Sequence, residues 1–243
     1  RLLRKLNKTH NKKMDQISEY IQESLDNAEK SRREYQLFDD IFVYIKDNLP
    51  DHINMKNVLL SVERIVPYHL SKEVDGIYIG QFKDWGEREV NSMFKDASIF
   101  VTNQQDDDED MIDDIVHEFA HSIESPMGDI IYIDGELQQE FIGKRKRLYF
   151  LIKGEGYSVA TEKFMNSEYD EKFDDFLYKK IGYEALSSIA MGLFITPYAA
   201  TSLREYFATG YVEYLMGDRN YLRSVSPALY KKIEYLIGEE DEN

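Results

Sequence analysis

Residues 110–126 read DMIDDIVHEFAHSIESP, and the reading of the whole chain turns on them. Two of the five histidines, His117 and His121, stand four residues apart, with Glu118 directly after the first. Wound as a helix at 3.6 residues per turn, Ile112, Ile115, Val116, Phe119 and Ile123 fall on one side. Asp110, Asp113, His117, His121 and Glu124 fall on the other. A lone histidine is ordinarily a satisfied core residue, but these two lie off the apolar stripe. They therefore belong either to a solvated polar face or to a metal site. Side chains at i and i+4 stand side by side on a helix, so both imidazoles can reach one ion at ~2.1 Å. Glu118 lies about a quarter turn round from them. It is badly placed as a third ligand but well placed to take a proton from metal-activated water and return it to a leaving amine.

A catalytic zinc has three protein ligands and one open position. No histidine follows His121, and the chain has no cysteine, so the third ligand must be a carboxylate. Glu124 shares the histidine face but stands about 10 Å along the axis from His117, which gives it a supporting or solvent-facing role. The better candidate is in TPYAATSLREYFATGYVEYLMGD, residues 196–218. There Glu205 shares a helix face with Ser202, Ala208, Thr209 and Val212, whereas Glu213 faces solvent. A carboxylate among such neighbours is costly unless paired or bound to a metal; the alternative is a buried salt bridge to Arg or Lys. Tyr198 lies seven residues earlier, nearly two turns, and could hydrogen-bond the oxyanion of a tetrahedral intermediate.

These elements carry a family likeness. HEFAH, followed by PYAATSLREYFATGYVEYL and SPALYKKIEYL, resembles the anthrax lethal-factor-like zinc metallopeptidases, to which the Pro-Pro endopeptidases are related. The resemblance covers roughly residues 56–238. It implies Zn²⁺ held by His117, His121 and Glu205, with Glu118 as general base and acid and Tyr198 in the active site. It places an extended substrate along an edge strand at 98–103, SIFVTN. The stretch from His121 to Glu205 is long for that family. Secreted, toxin and phage-associated settings are all compatible with the likeness.

The rest of the chain sets the frame. At 243 residues with 42% apolar content it can bury a substantial core. The net charge of −16 disfavours nucleic acid as a partner, and the expected partner is a protein or peptide substrate. No apolar run is long enough to span a bilayer. Residues 1–13 are basic and read as a soluble helix start. Residues 14–49 carry apolar residues at helical spacing, giving an N-terminal helical segment over 1–50 ahead of a domain over 51–243. NVLLSVERIV (57–66), GIYIGQF (76–82) and ASIFVTN (97–103) read as strands. Helices are expected near 109–125, 136–153, 157–166, 171–180, 183–194, 199–216 and 226–237. The acids at 106–110 suit a helix N-terminus. Trp85 and His69 read as loop residues, GEGY at 154–157 as a turn, and Arg145 and Arg147 as a solvated basic face. The fold class is thus α+β and zincin-like: a small twisted sheet, the active-site helix, then a helical lobe. The function expected is a zinc metalloendopeptidase; the alternative is a catalytically inactive docking domain of a larger assembly.

Overall fold

The computed structural model describes residues 34–82 and 91–238. Five strands form one sheet: β1 (Glu34–Leu37), β2 (Ile41–Ile45), β3 (Gly76–Ile79), β4 (Ser92–Lys95) and β5 (Ser98–Val101). Their spatial order is β1-β2-β3-β5-β4, parallel in the middle and antiparallel at each edge. Helix α1 (Met55–Ile65) links β2 to β3, and α2 (Asp108–Tyr132) follows β5. The helical lobe then runs through α3 (Glu136–Gly154), α4 (Thr161–Met165), α5 (Glu171–Asp175), a π-helical turn (Phe176–Ile181) and α6 (Tyr183–Ile189). It closes with a 3-10 turn (Tyr198–Ala200), α7 (Leu203–Met216), α8 (Arg219–Val225) and α9 (Pro227–Gly238). The fold is mixed α+β. No described helix is long and apolar enough to cross a membrane.

Alternation along the strands builds the core. Val43, Ile45, Ile77, Ile79, Ile99 and Val101 are buried on one face, against Val58, Leu59 and Val62 of α1 and Ile112, Ile115, Val116 and Phe119 of α2. On the other face Tyr44, Tyr78 and Phe100 stack in a ladder with ring centroids 5.1 and 5.3 Å apart. Helix α2 begins where the acid run stands. Asp107 caps it through the amides of Glu109 and Asp110, and Asp108, Glu109 and Asp110 occupy the positive end of the helix dipole. The helix continues past Pro126, where the sequence suggested an end. Its last turns bury Ile131 and pack Met127, Ile130 and Tyr132 against the core.

Several sequence expectations are corrected. Residues 34–45 are a β-hairpin rather than part of a helix. Phe38, Ile41, Phe42 and Ile45 satisfy a helical spacing, but in IFVYI a two-residue alternation wins, with Ile41, Val43 and Ile45 inward and Phe42 outward. Because β2 pairs with β3, the hairpin belongs to the same sheet as residues 76–101. Conversely, 55–65 is a helix rather than a strand. Asn54 caps it, and Val58, Leu59 and Val62 form its buried stripe. The strand expected at the edge, β5, is paired on both sides; among the described residues the edge next to α2 is β4. Helix α8 was not foreseen, and the segments expected at 157–166 and 183–194 form shorter helices. Residues 1–33, Trp85 and the acidic tail at 239–243 lie outside the described residues. Of GEGY, Gly154 ends α3, and the turn expected there is made by Glu155 and Gly156.

The β4–β5 hairpin turns on two residues, Asp96 and Ala97, both with positive φ (50° and 56°). This is the geometry favoured by strand twist but disfavoured by a Cβ. Ala97→Gly should therefore stabilise the protein by about 1 kcal/mol. Urea denaturation checks this; a fall in the midpoint would refute the strain.

Candidate metal centre

Helix α2 presents His117, Glu118, His121 and Glu124, and α7, packed along it, presents Glu205. Helix α7 starts at Ser202, whose Oγ accepts the amide of Glu205 at 3.2 Å. The S-x-x-E spacing is half of a capping box. Among the described residues the reciprocal half is absent, because the Glu205 carboxylate turns to the imidazoles instead. Its Oε2 lies 3.0 Å from His117 Nε2 and 3.5 Å from His121 Nε2. One ligand atom from each of the three side chains lies within 4.8 Å of the others. Four-coordinate zinc with bonds of ~2.0–2.1 Å holds its ligand atoms ~3.3 Å apart. The two carboxylate–imidazole separations bracket that value, and all three atoms lie within 4.8 Å of one another, so the donor set could hold a small divalent cation. Among the described residues Glu205 makes no salt bridge to a Lys or Arg; Arg204 pairs with Glu124.

His121 is held from behind. Its Nδ1 lies 3.0 Å from Glu124 Oε2, which leaves Nε2 facing the site. Glu124 in turn accepts from Arg204 Nε at 2.8 Å and from the Tyr132 hydroxyl. Such contacts fix the tautomer and ring orientation of a metal-binding imidazole. Glu124 thus takes the supporting role rather than the solvent-facing one.

The charges are consistent with this geometry. Burial works against a charged His121, but hydrogen bonds to Glu124 and Glu205 outweigh it and push the pKa from 6.5 up to about 10. Burial likewise opposes ionisation of Glu205, yet hydrogen bonds from His117 and His121 hold its pKa far below the usual carboxylate range. Glu124 is also lowered, by His121 and Tyr132, against its own burial. The proton on His121 supplies here the attraction that a cation would supply.

Glu118 is almost fully buried, and its Oε1 accepts a 2.7 Å hydrogen bond from Ser92 Oγ on β4. Its other oxygen has no hydrogen-bond partner among the described residues. Nothing in the sequence singled out Ser92, because the pairing joins positions 26 residues apart. Tyr198 is half-buried on the turn before α7, its ring centroid 6.4 Å from that of His117. Beside His121 opens a cavity of about 600 Å³, lined by Phe94, Glu124, Tyr132, Leu203 and Arg204 among others. His69 is a turn residue bonded to the Leu236 carbonyl. Glu213 is half-exposed and accepts the amide of Asp218 beyond the end of α7. Arg147 is exposed as expected, but Arg145 is not: it is 1% exposed and bonds three carbonyls. Helical periodicity puts Arg145 beside Phe141 and Leu148 on the core stripe, a signal that its charge masks.

The chain matches no family model, no curated protein and no solved structure.

Two outcomes follow from the geometry. A cation must displace the His121 proton, so its affinity should rise with pH up to about 10, close to tenfold per unit. Competition with a coloured chelator measures this, and a flat profile would rule out histidine ligation. The same linkage has the opposite sign for the metal-free fold. A raised His121 pKa contributes stability that is complete below about 6.5 and is lost as pH rises through about 10. Separately, Glu124→Gln, which removes the charge behind His121 but keeps its shape, should weaken cation binding about 10–100-fold.

Proposed function

We propose that this protein is a zinc-dependent metalloendopeptidase with a zincin-like arrangement. The observation that carries the reading is the approach of one Glu205 oxygen to the Nε2 atoms of both His117 and His121, at 3.0 and 3.5 Å. Two imidazoles and a carboxylate on separate helices make a neutral-to-anionic nitrogen and oxygen set suited to Zn²⁺. His117, His121 and Glu205 would hold the ion. When bound there, zinc supplies Lewis acidity, polarising a carbonyl and acidifying water to near neutrality.

The chain's own residues supply the remainder. Glu118, aimed by Ser92 through Oε1, has its second oxygen available to take a proton from the attacking water and pass it to the departing amine nitrogen. Glu124, Arg204 and Tyr132 keep His121 in the tautomer that directs Nε2 inward. The Tyr198 hydroxyl serves as a donor to the oxyanion that forms when the peptide carbonyl is attacked. Strand β4 supports the substrate class. It is the sheet edge on the α2 side, its Ser92 touches Glu118, and its Phe94 lines the cavity beside His121. An extended peptide can add to such an edge through backbone hydrogen bonds. The substrate strand is therefore assigned to β4 at 92–95 in place of 98–103.

The test is a matched set of variants. Protein purified without added metal should contain about one zinc per chain by elemental analysis. Glu118→Ala should retain that zinc and lose cleavage of a peptide library by more than about a hundredfold. Glu205→Ala should bind zinc at least tenfold more weakly. Zinc bound without cleavage of any peptide would favour the docking-domain reading. Failure to bind zinc at all would end the peptidase reading.

A further inference from the structure

The long stretch 136–194 contributes nothing to the His117, His121 and Glu205 cluster, yet it sends a charged side chain to the turn that carries Tyr198. Arg145, on α3, is buried among aromatic rings. Its guanidinium carbon stands 4.1 Å from the ring centroid of Phe173 and 5.2 Å from that of Phe141. Nη1 donates to the carbonyls of Ala200 (3.0 Å) and Thr201 (3.2 Å), and Nη2 donates to that of Lys163. Among the described residues no carboxylate forms an ion pair with it. Burial lowers its pKa to about 9, so it remains charged at neutral pH.

The carbonyls it holds matter because of where they lie. The 3-10 turn carrying Tyr198 ends at Ala200, and Ser202 is extended (φ −154°) as the cap of α7. At this joint the chain passes from one helical element to another, and the outgoing carbonyls have no successor amides to accept. Arg145 satisfies two of them with one planar group. A buried cation is a poor device for stability alone, since a well-packed apolar side chain does as well or better. A rigid fork with several donors is, however, a good device for fixing direction.

We propose that Arg145 is a positioning residue for Tyr198. Its guanidinium locks the joint between the Tyr198 turn and α7, and so sets where the phenol stands relative to the imidazoles. The catalytic consequence rests on the peptidase reading; the geometric claim does not. A lysine at 145 keeps the charge but replaces the planar two-nitrogen fork by a compact ammonium, which does not reproduce the guanidinium's reach to the Lys163 carbonyl and to those of Ala200 and Thr201 together, so the turn shifts. Glu205 keeps its own anchors, the Ser202 cap and the two imidazoles, so zinc affinity should stay within about threefold.

The experiment is a double-mutant cycle on the full chain, combined with a probe at position 198. Arg145→Lys should lower kcat about 10–100-fold with little change in KM, as misplacement of one oxyanion donor does. In a Tyr198→Phe background the same change should cost less than about twofold, because there is no phenol left to misplace. Independently of activity, 3-fluorotyrosine placed at 198 should give a shifted or broadened ¹⁹F resonance in Arg145→Lys, whereas the same label at Tyr211 should not move. Phe173→Leu, which removes the ring beneath the guanidinium but leaves the fork, should act in the same direction more weakly and serves if Arg145→Lys fails to fold. Additive losses in the cycle, an unmoved resonance at 198, or equal movement at 211 would overturn the proposal. If the wild type cleaves no peptide, the peptidase reading falls and the resonance at 198 alone decides the positioning claim.

Discussion

One carboxylate oxygen holds the site together. Glu205 Oε2 sits between two imidazoles from another helix, in a setting where burial opposes its charge. An isolated carboxylate would not stay ionised there. It does so because the imidazoles give it hydrogen bonds and, when protonated, opposite charge. The rest of the arrangement follows from keeping those three groups in register. Helix α7 packs along α2, the Ser202 cap fixes where α7 begins, and Glu124 turns His121 so that Nε2 rather than Nδ1 faces inward.

The surroundings divide into two supports. On the sheet side, β4 brings Ser92 to Glu118 and Phe94 to the cavity beside His121. The proposed proton carrier, Glu118, and the sheet edge proposed to take the peptide are thereby tied to the same short strand. On the helical side, α3 supplies Arg145 to the joint before α7 and Glu140 to the start of α9, where it accepts the amides of Ala228 and Leu229. A long helix buried on one face can thus fix two chain reversals at once. The helical segment between His121 and Glu205 holds the chain just before α7 and at the start of α9.

Where the sequence misled, the cause is the same each time. In residues 34–49 the apolar spacing fits two periods, and only pairing of β2 with β3 selects the strand. In 57–66 the β-branched residues suggest a strand, but the Asn54 cap and the buried Val58–Val62 stripe make a helix. The family resemblance puts the edge at 98–103, and nothing in the sequence reveals that β4 lies outside β5. Arg145 was read by its charge, although its place on the helix wheel was that of a core residue.

The sequence by itself determined the local chemistry: two imidazoles on one face of a capped helix, a glutamate a quarter turn away, and a second helix with one carboxylate among small neighbours. These follow from periodicity and side-chain type, which act over a few residues. Only the tertiary structure decided which groups meet. Glu205 is 88 residues from His117, Ser92 is 26 from Glu118, and Arg145 is 55 from Ala200. Contacts at such separations depend on strand order and helix packing, and those are set by the burial of the whole apolar pattern at once rather than by any local run of residues.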